Sequence, residues 1–158
     1  MADCGRKWGI PMLMGEYHHN IDEKNRLVIP SKFREELGNE FIITRGLDKC
    51  LFVYSKVEWN KIVNTLKTLP FTQQHARAFT RFFLSGAAMC ELDRSGRVCI
   101  TSPLIEYADI TKECVIIGAN DRIEIWSKES WDSFMNDNID SFSAIAEDLF
   151  KTGDFNAL

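Results

Sequence analysis

Two arginines in this chain each follow an aspartate by four residues across a short polar stretch. Asp22 precedes Arg26 in "IDEKNRLVIP", and Asp93 precedes Arg97 in "LDRSGRVCIT". An aspartate favours turns because its carboxylate accepts bonds from the backbone N–H groups just ahead of it. Across a tight turn the same carboxylate can also hold a guanidinium in place. Asn25 and Gly96 occupy equivalent places in the two stretches, and both residue types accept positive φ. Taken singly, such a turn reads as a hairpin with a surface ion pair that contributes about 0–1 kcal/mol. Two matched copies point further. The planar fork of arginine fits phosphate oxygens or the O6/N7 edge of guanine. With Lys24 and Arg94 in the same turns, two such forks suit a polyanion.

The turns belong to a longer duplication. With Gly15 placed on Gly86, Asp22 falls on Asp93, Arg26 on Arg97, Ile29 on Ile100, Ser31 on Ser102 and Glu35 on Glu106. After small changes of loop length, Gly46 matches Gly118, and Ser55, Lys56 and Trp59 match Ser127, Lys128 and Trp131. The chain therefore reads as two units, 15–61 and 86–132, joined by a helical linker at 62–85. An extension, 1–11, precedes them, and an acidic helical tail, 133–158, follows. A unit of this size is too small to bury a sufficient core alone. Two copies that interleave and share one core acquire a pseudo-two-fold axis, which brings the two turns to one face.

Each unit has the same pattern of elements. A strand (16–21 or 87–92) runs into the polar turn, and a second strand follows (26–29 or 97–100). A short helical turn comes next, "SKFREEL" or "SPLIEYA", opened by a serine able to cap it. Then come "FIIT" and "LFVY" in the first unit, "CVII" and "IEIW" in the second. A helix opens at Ser55 or Ser127, and "SKVE" has the spacing of a capping box with Glu58 reaching back. Trp59 and Trp131 are expected as matched core anchors. Ala76, Phe79 and Phe83 share one face of a linker helix expected in the core. Ile139, Phe142, Ile145, Ala146 and Leu149 form an apolar stripe that needs a covering surface.

The formal net charge is −4, but it is unevenly spread. Residues 129–158 hold seven acids and one base, whereas 1–128 hold 18 bases and 16 acids. The segment 22–34 contains Lys24, Arg26, Lys32 and Arg34, so a locally basic face is compatible with an acidic total. Apolar runs are too short to span a bilayer, and no secretory leader is evident. Both features imply a cytoplasmic protein with reduced thiols. The five cysteines form no CxxC pair, although a hairpin closed at 93–96 would set Cys90 opposite Cys99. His18 and His19 are adjacent, point to opposite faces of a strand and share no metal easily. Nucleotide-binding glycine patterns and a nucleophile elbow are absent. Neither a catalytic set, a cofactor, a metal nor a small-molecule substrate is indicated.

The segments "MLMGEYHHNIDEKNRLVIPSKFREEL", "FIITRGLDKCLFVY", "ARAFTRFFLSGAAMCELDRSGRVCI" and "RIEIW" resemble the MraZ family over about residues 12–150. That resemblance implies an α+β fold. Tandem AbrB-like (SpoVT-AbrB) βαβ repeats would interleave as a pseudo-two-fold swapped-hairpin β-barrel with flanking helices. It also implies a bacterial transcriptional regulator, associated with the nucleoid. Such a regulator binds short direct repeats in double-stranded DNA upstream of its own division and cell-wall gene cluster, as a ring-shaped homo-oligomer. Arg26 and Arg97 would contact DNA and Asp22 and Asp93 would orient them, with Lys24, Arg94, Lys32 and Arg34 adding attraction. Three places depart from the family pattern. Asn25 stands where glycine is usual, Thr101 replaces the proline of an Ile-Pro pair, and Ile105 replaces an arginine. The rival readings are an AbrB-like protein-interaction module of an antitoxin-type regulator, and an enzyme. The enzyme reading lacks any nameable titratable site.

Overall fold

The computed structural model describes residues 13–152. The N-terminal extension, with Cys4, and the last residues of the tail lie outside that range. The first repeat contributes β1 (Met14–Asn20), β2 (Arg26–Val28), α1 (Ser31–Leu37), β3 (Glu40–Arg45), β4 (Leu51–Ser55) and α2 (Lys56–Lys67). A linker helix, α3 (Gln74–Ser85), follows. In the second repeat come β5 (Ala88–Glu91), β6 (Arg97–Cys99), α4 (Ser102–Tyr107), β7 (Glu113–Ala119), β8 (Ile123–Ser127) and α5 (Lys128–Asn138). A short 3-10 turn then leads to α6 (Phe142–Leu149).

The two repeats interleave strand by strand. Six strands form one antiparallel sheet in the order β1-β7-β8-β4-β3-β5, and β2 pairs with β6 in a separate ribbon. Exchange of the repeats maps each order onto itself. In the ribbon the pairs are Arg26 with Cys99, Leu27 with Val98 and Val28 with Arg97, so the pseudo-two-fold passes through Leu27 and Val98. In the sheet it passes through Phe52 and Glu124, the central pair of β4 and β8.

Among the described residues the expected closed barrel is not formed. The three-residue strands β2 and β6 find their partners in each other, not in β1 and β5. They leave the sheet at the aspartate turns, and β1 and β5 remain its edges. Cys90 and Cys99 accordingly are not cross-strand partners, and the four described cysteines are free.

The apolar runs in β3, β4, β7 and β8 are continuous because both faces of the central sheet are covered. On one face Phe41, Ile43, Leu51, Val53, Ile116, Ile123 and Ile125 pack with Leu27, Val98, Phe33 and Leu104 beneath the ribbon, α1 and α4. The other face carries a smaller cluster in which Tyr54, Phe83 and Trp126 meet Trp59 and Trp131. Both tryptophans are half-buried there and do not reach the central core.

Several helical expectations change. Helix α1 begins at Ser31 itself, so its cap position falls on Pro30; α4 likewise begins at Ser102, with Thr101 at the cap, and neither has a side-chain cap bond. Ser55 and Ser127 do cap α2 and α5. The Glu58 carboxylate pairs with Lys61 and does not close the capping box. Of the linker face only Phe83 is buried, while Phe79 stacks on it and stays 37% exposed. On the C-terminal stripe Phe142 is 70% exposed and Leu149 64%. Among the described residues no helix is long and apolar enough to cross a membrane.

Candidate nucleic-acid interface

Each turn is built by its own aspartate. In the first, Asp22 Oδ1 accepts from the N–H groups of Lys24 at 2.9 Å and Arg26 at 2.8 Å. In the second, Asp93 Oδ1 accepts from Ser95 at 2.8 Å and Arg97 at 2.9 Å. The backbone closes with Asn25 donating to the Asp22 carbonyl and Gly96 to the Asp93 carbonyl, both at 3.0 Å. This closure requires left-handed backbone at the third turn residue, where Asn25 has φ 60° and Gly96 φ 75°. Asparagine tolerates that region and glycine enters it without strain.

The second carboxylate oxygen holds the arginine. Arg26 Nε donates to Asp22 Oδ2 at 2.7 Å, and Arg97 Nε to Asp93 Oδ2 at 3.0 Å. The backbone N–H of Arg26 or Arg97 comes first among the influences that hold the two carboxyls below their ordinary value; next in the favourable direction come the guanidinium bond for Asp22 and the Ser95 N–H for Asp93. Because Nε makes the bond to the turn's own aspartate, neither fork uses a terminal nitrogen on that carboxylate, which suits bidentate recognition of a ligand. The ribbon then brings the repeats together: Arg97 Nη1 lies 3.8 Å from Asp22 Oδ2, the oxygen already bound by Arg26. Both arginine side chains are about one-third exposed, at 34% and 31%. Thus neither is buried, and the two share one face.

Other sequence-selected residues divide. Lys24 and Arg94 are exposed in the turns, and Lys32 is exposed on α1. A recess of about 360 Å³ beside the ribbon is lined by Tyr17, His19, Val28, Ser31, Lys32 and Arg34, among others. Arg34 is more constrained than a solvated cation. Its Nε donates to the Ile29 carbonyl at 2.8 Å, and its guanidinium covers Gly96, which is buried. Exposed Cys99 stands opposite Arg26 in the ribbon, with its Sγ 3.5 Å from the Lys24 carbonyl. Neither the bridging by Asp22 nor the placement of Arg34 had a signal in the sequence, since each depends on how the repeats pair.

His18 turns to Glu16, with Nε2 and Oε2 at 2.7 Å. Among the described residues no group of three or more His, Cys, Asp or Glu side chains is placed to hold a metal ion.

The family model described as "MraZ protein, putative antitoxin-like" matches the chain twice, over residues 12–82 and 83–153. The chain is also 56% identical over 138 residues to a protein of Thermoanaerobacter sp. (strain X514) named "Transcriptional regulator MraZ", a match covering 87% of this chain and 96% of the relative. A protein of the same name from Caldanaerobacter subterraneus subsp. tengcongensis matches with the same identity and coverage.

Proposed function

Because the chain belongs to the MraZ family, we propose that it is a transcriptional regulator that binds double-stranded DNA through the β2–β6 ribbon. The observation that carries this reading is the single oxygen of Asp22 spanning Arg26 and Arg97, at 2.7 and 3.8 Å. Two guanidinium forks meet there on an exposed face. They engage phosphates or guanine edges, while Lys24, Arg94 and Lys32 add attraction without sequence preference.

The sites would be short direct repeats upstream of its own gene, in a cluster for division and cell-wall synthesis. One subunit binds weakly. A ring of subunits, each meeting one repeat, raises the effective concentration of the next contact, and avidity gains of about 10²–10⁴ are accessible in this way. Exposed Ile139, Phe142, Ile145 and Leu149 provide apolar surface for subunit contacts. Such a protein works in the cytoplasm, on the nucleoid, and needs no cofactor. The same exposed stripe also favours a second reading, an interaction module for another protein in the manner of an antitoxin.

The test is salt-dependent binding to the DNA upstream of the gene, comparing wild type with Arg26→Ala, Arg97→Ala and the double variant. Each lost fork should weaken binding by about 1–3 kcal/mol if it reads a base, or lower the salt slope by about 1 if it meets a phosphate. Unaltered binding by the double variant would overturn the proposal. Sedimentation of the protein with and without DNA tests the ring.

A further inference from the structure

We propose that Arg34 is a positioning residue for the second turn, fixing the segment that presents Arg97, and that the first turn has no counterpart. This inference rests on the DNA-binding reading above for its functional consequence, but its structural part stands separately.

A Cβ placed on Gly96 would lie 2.2 Å from Arg34 Cζ and 2.4 and 2.5 Å from its terminal nitrogens. The carbon is nearest and both nitrogens are slightly farther, so the approach is to the flat face of the guanidinium. Arg34 Nε meanwhile donates to the Ile29 carbonyl at 2.8 Å, and the Ile29 N–H donates to the Gly96 carbonyl at 3.0 Å. One side chain on α1 of the first repeat thereby fastens the end of the ribbon to the turn of the second. The neighbouring residue in that turn is Arg97.

The pseudo-two-fold exposes the asymmetry. Ile100 donates to the Asn25 carbonyl at 2.9 Å, matching the bond from Ile29 to Gly96. Arg34 is the fourth residue of α1, and the fourth residue of α4 is Ile105, which packs against the core. Opposite it, the turn carries Asn25, with a Cβ and partial exposure. A guanidinium at 34 requires a bare Cα at 96, whereas an isoleucine at 105 leaves room for a side chain at 25. The two departures noted in the sequence, Asn25 and Ile105, thus belong to one structural choice. Arg97 is held by Asp93, by Asp22 and through the clamped peptide. Arg26 is held by Asp22. Pre-organisation of a ligand-binding group lowers the ordering cost of binding.

The experiment uses the full chain and four variants: Arg34→Ala, Arg34→Lys, Gly96→Asn, and Asn25→Gly combined with Ile105→Arg. Gly96→Asn keeps the charge at 34 but displaces it, so it stands in if Arg34→Ala fails to fold. Amide exchange is measured at 22–26 and 93–97 without DNA. Affinity for the upstream DNA is then measured with each Arg34 or Gly96 change alone and together with Arg97→Ala.

Arg34→Ala and Gly96→Asn should speed exchange at 93–97 several-fold and leave 22–26 unchanged. The combined Asn25→Gly, Ile105→Arg change should slow exchange at 22–26. DNA affinity should fall roughly three- to thirty-fold with Arg34→Ala, and scarcely further once Arg97 is alanine. Lysine should not rescue, because it lacks the planar face and the Nε–H.

Unchanged exchange at 93–97 overturns the inference whatever DNA does. An equal loss of affinity in the Arg97→Ala background would make Arg34 a contact in its own right, and full rescue by lysine would make it a charge; either result also overturns it. Wild-type affinity in Arg97→Ala would instead remove the role of Arg97 in DNA binding, leaving the exchange data to decide the clamp.

Discussion

Asp22 and Arg97 belong to different repeats, yet the aspartate's Oδ2 stands 3.8 Å from the arginine's Nη1 while binding Arg26 Nε at 2.7 Å. Among the described ion pairs no counterpart joins Asp93 to Arg26. Two turns with nearly identical backbone bonding therefore have unequal side-chain electrostatics. Asp22 is the carboxylate that both arginines face, and Asp93 serves its own turn.

Replacement of the two aspartates should expose that inequality. Asp22→Asn keeps an oxygen for the backbone donors but removes the charge that both arginines face. Asp93→Asn removes a charge faced by one. Asp22→Asn should therefore weaken binding to the upstream DNA more than Asp93→Asn, as read by titration at fixed salt. Equal effects would show that the cross-repeat contact has no role in binding.

Acid should loosen the turns in a defined direction. Both aspartates are held below their ordinary value of 3.8, chiefly by backbone donors. For a carboxyl depressed in the folded state, its stabilising contribution is complete above the unfolded value and is lost as pH falls through the folded value. The difference in melting temperature between wild type and the Asp22→Asn, Asp93→Asn double variant should be constant from neutrality down to the ordinary carboxylate range, then shrink below it. A difference that stays constant in stronger acid would contradict the assignment.

Thiol reactivity should report the ribbon face. Burial raises the Cys50 and Cys90 thiols and pushes Cys114 up to about 11, whereas Cys99 is exposed. In a Cys4→Ser background, iodoacetamide near neutral pH should label Cys99 first. Since Cys99 is paired with Arg26, bound DNA should slow that labelling. Full-rate labelling in the presence of saturating DNA would place the contact elsewhere.

The packing beneath the ribbon should couple both turns. Leu27 is fully buried at the pseudo-two-fold, beside Val98. Leu27→Ala should cost about 2–5 kcal/mol of stability and speed amide exchange at 22–26 and 93–97 together. Trp131→Ala disturbs the cluster on the opposite face of the sheet and should lower the melting temperature without that paired effect. Loss confined to one turn in Leu27→Ala would contradict a shared support.

Local features were legible where the chain itself enforces them. All eight strands among the described residues lie within two residues of their expected limits, because the apolar runs and bounding turns state them directly. Asn25 and Gly96 have the expected positive φ, because the turn closes on its own aspartate. The caps at Ser31 and Ser102 failed because an extra residue of helix shifts the cap position to Pro30 and Thr101. The linker face at Ala76 and Phe79 failed as core, since helical period identifies a stripe without saying what covers it.

The sequence by itself determined the duplication, the element order and the two aspartate–arginine turns, because these depend on neighbours within a few residues. Tertiary structure decided that the strands after the turns pair with each other, so that the sheet stays open. It also decided that Asp22 serves both arginines and that Arg34 rests on Gly96. Those contacts join residues far apart in the chain, and their distances follow from the register of β2 on β6, which no local pattern specifies.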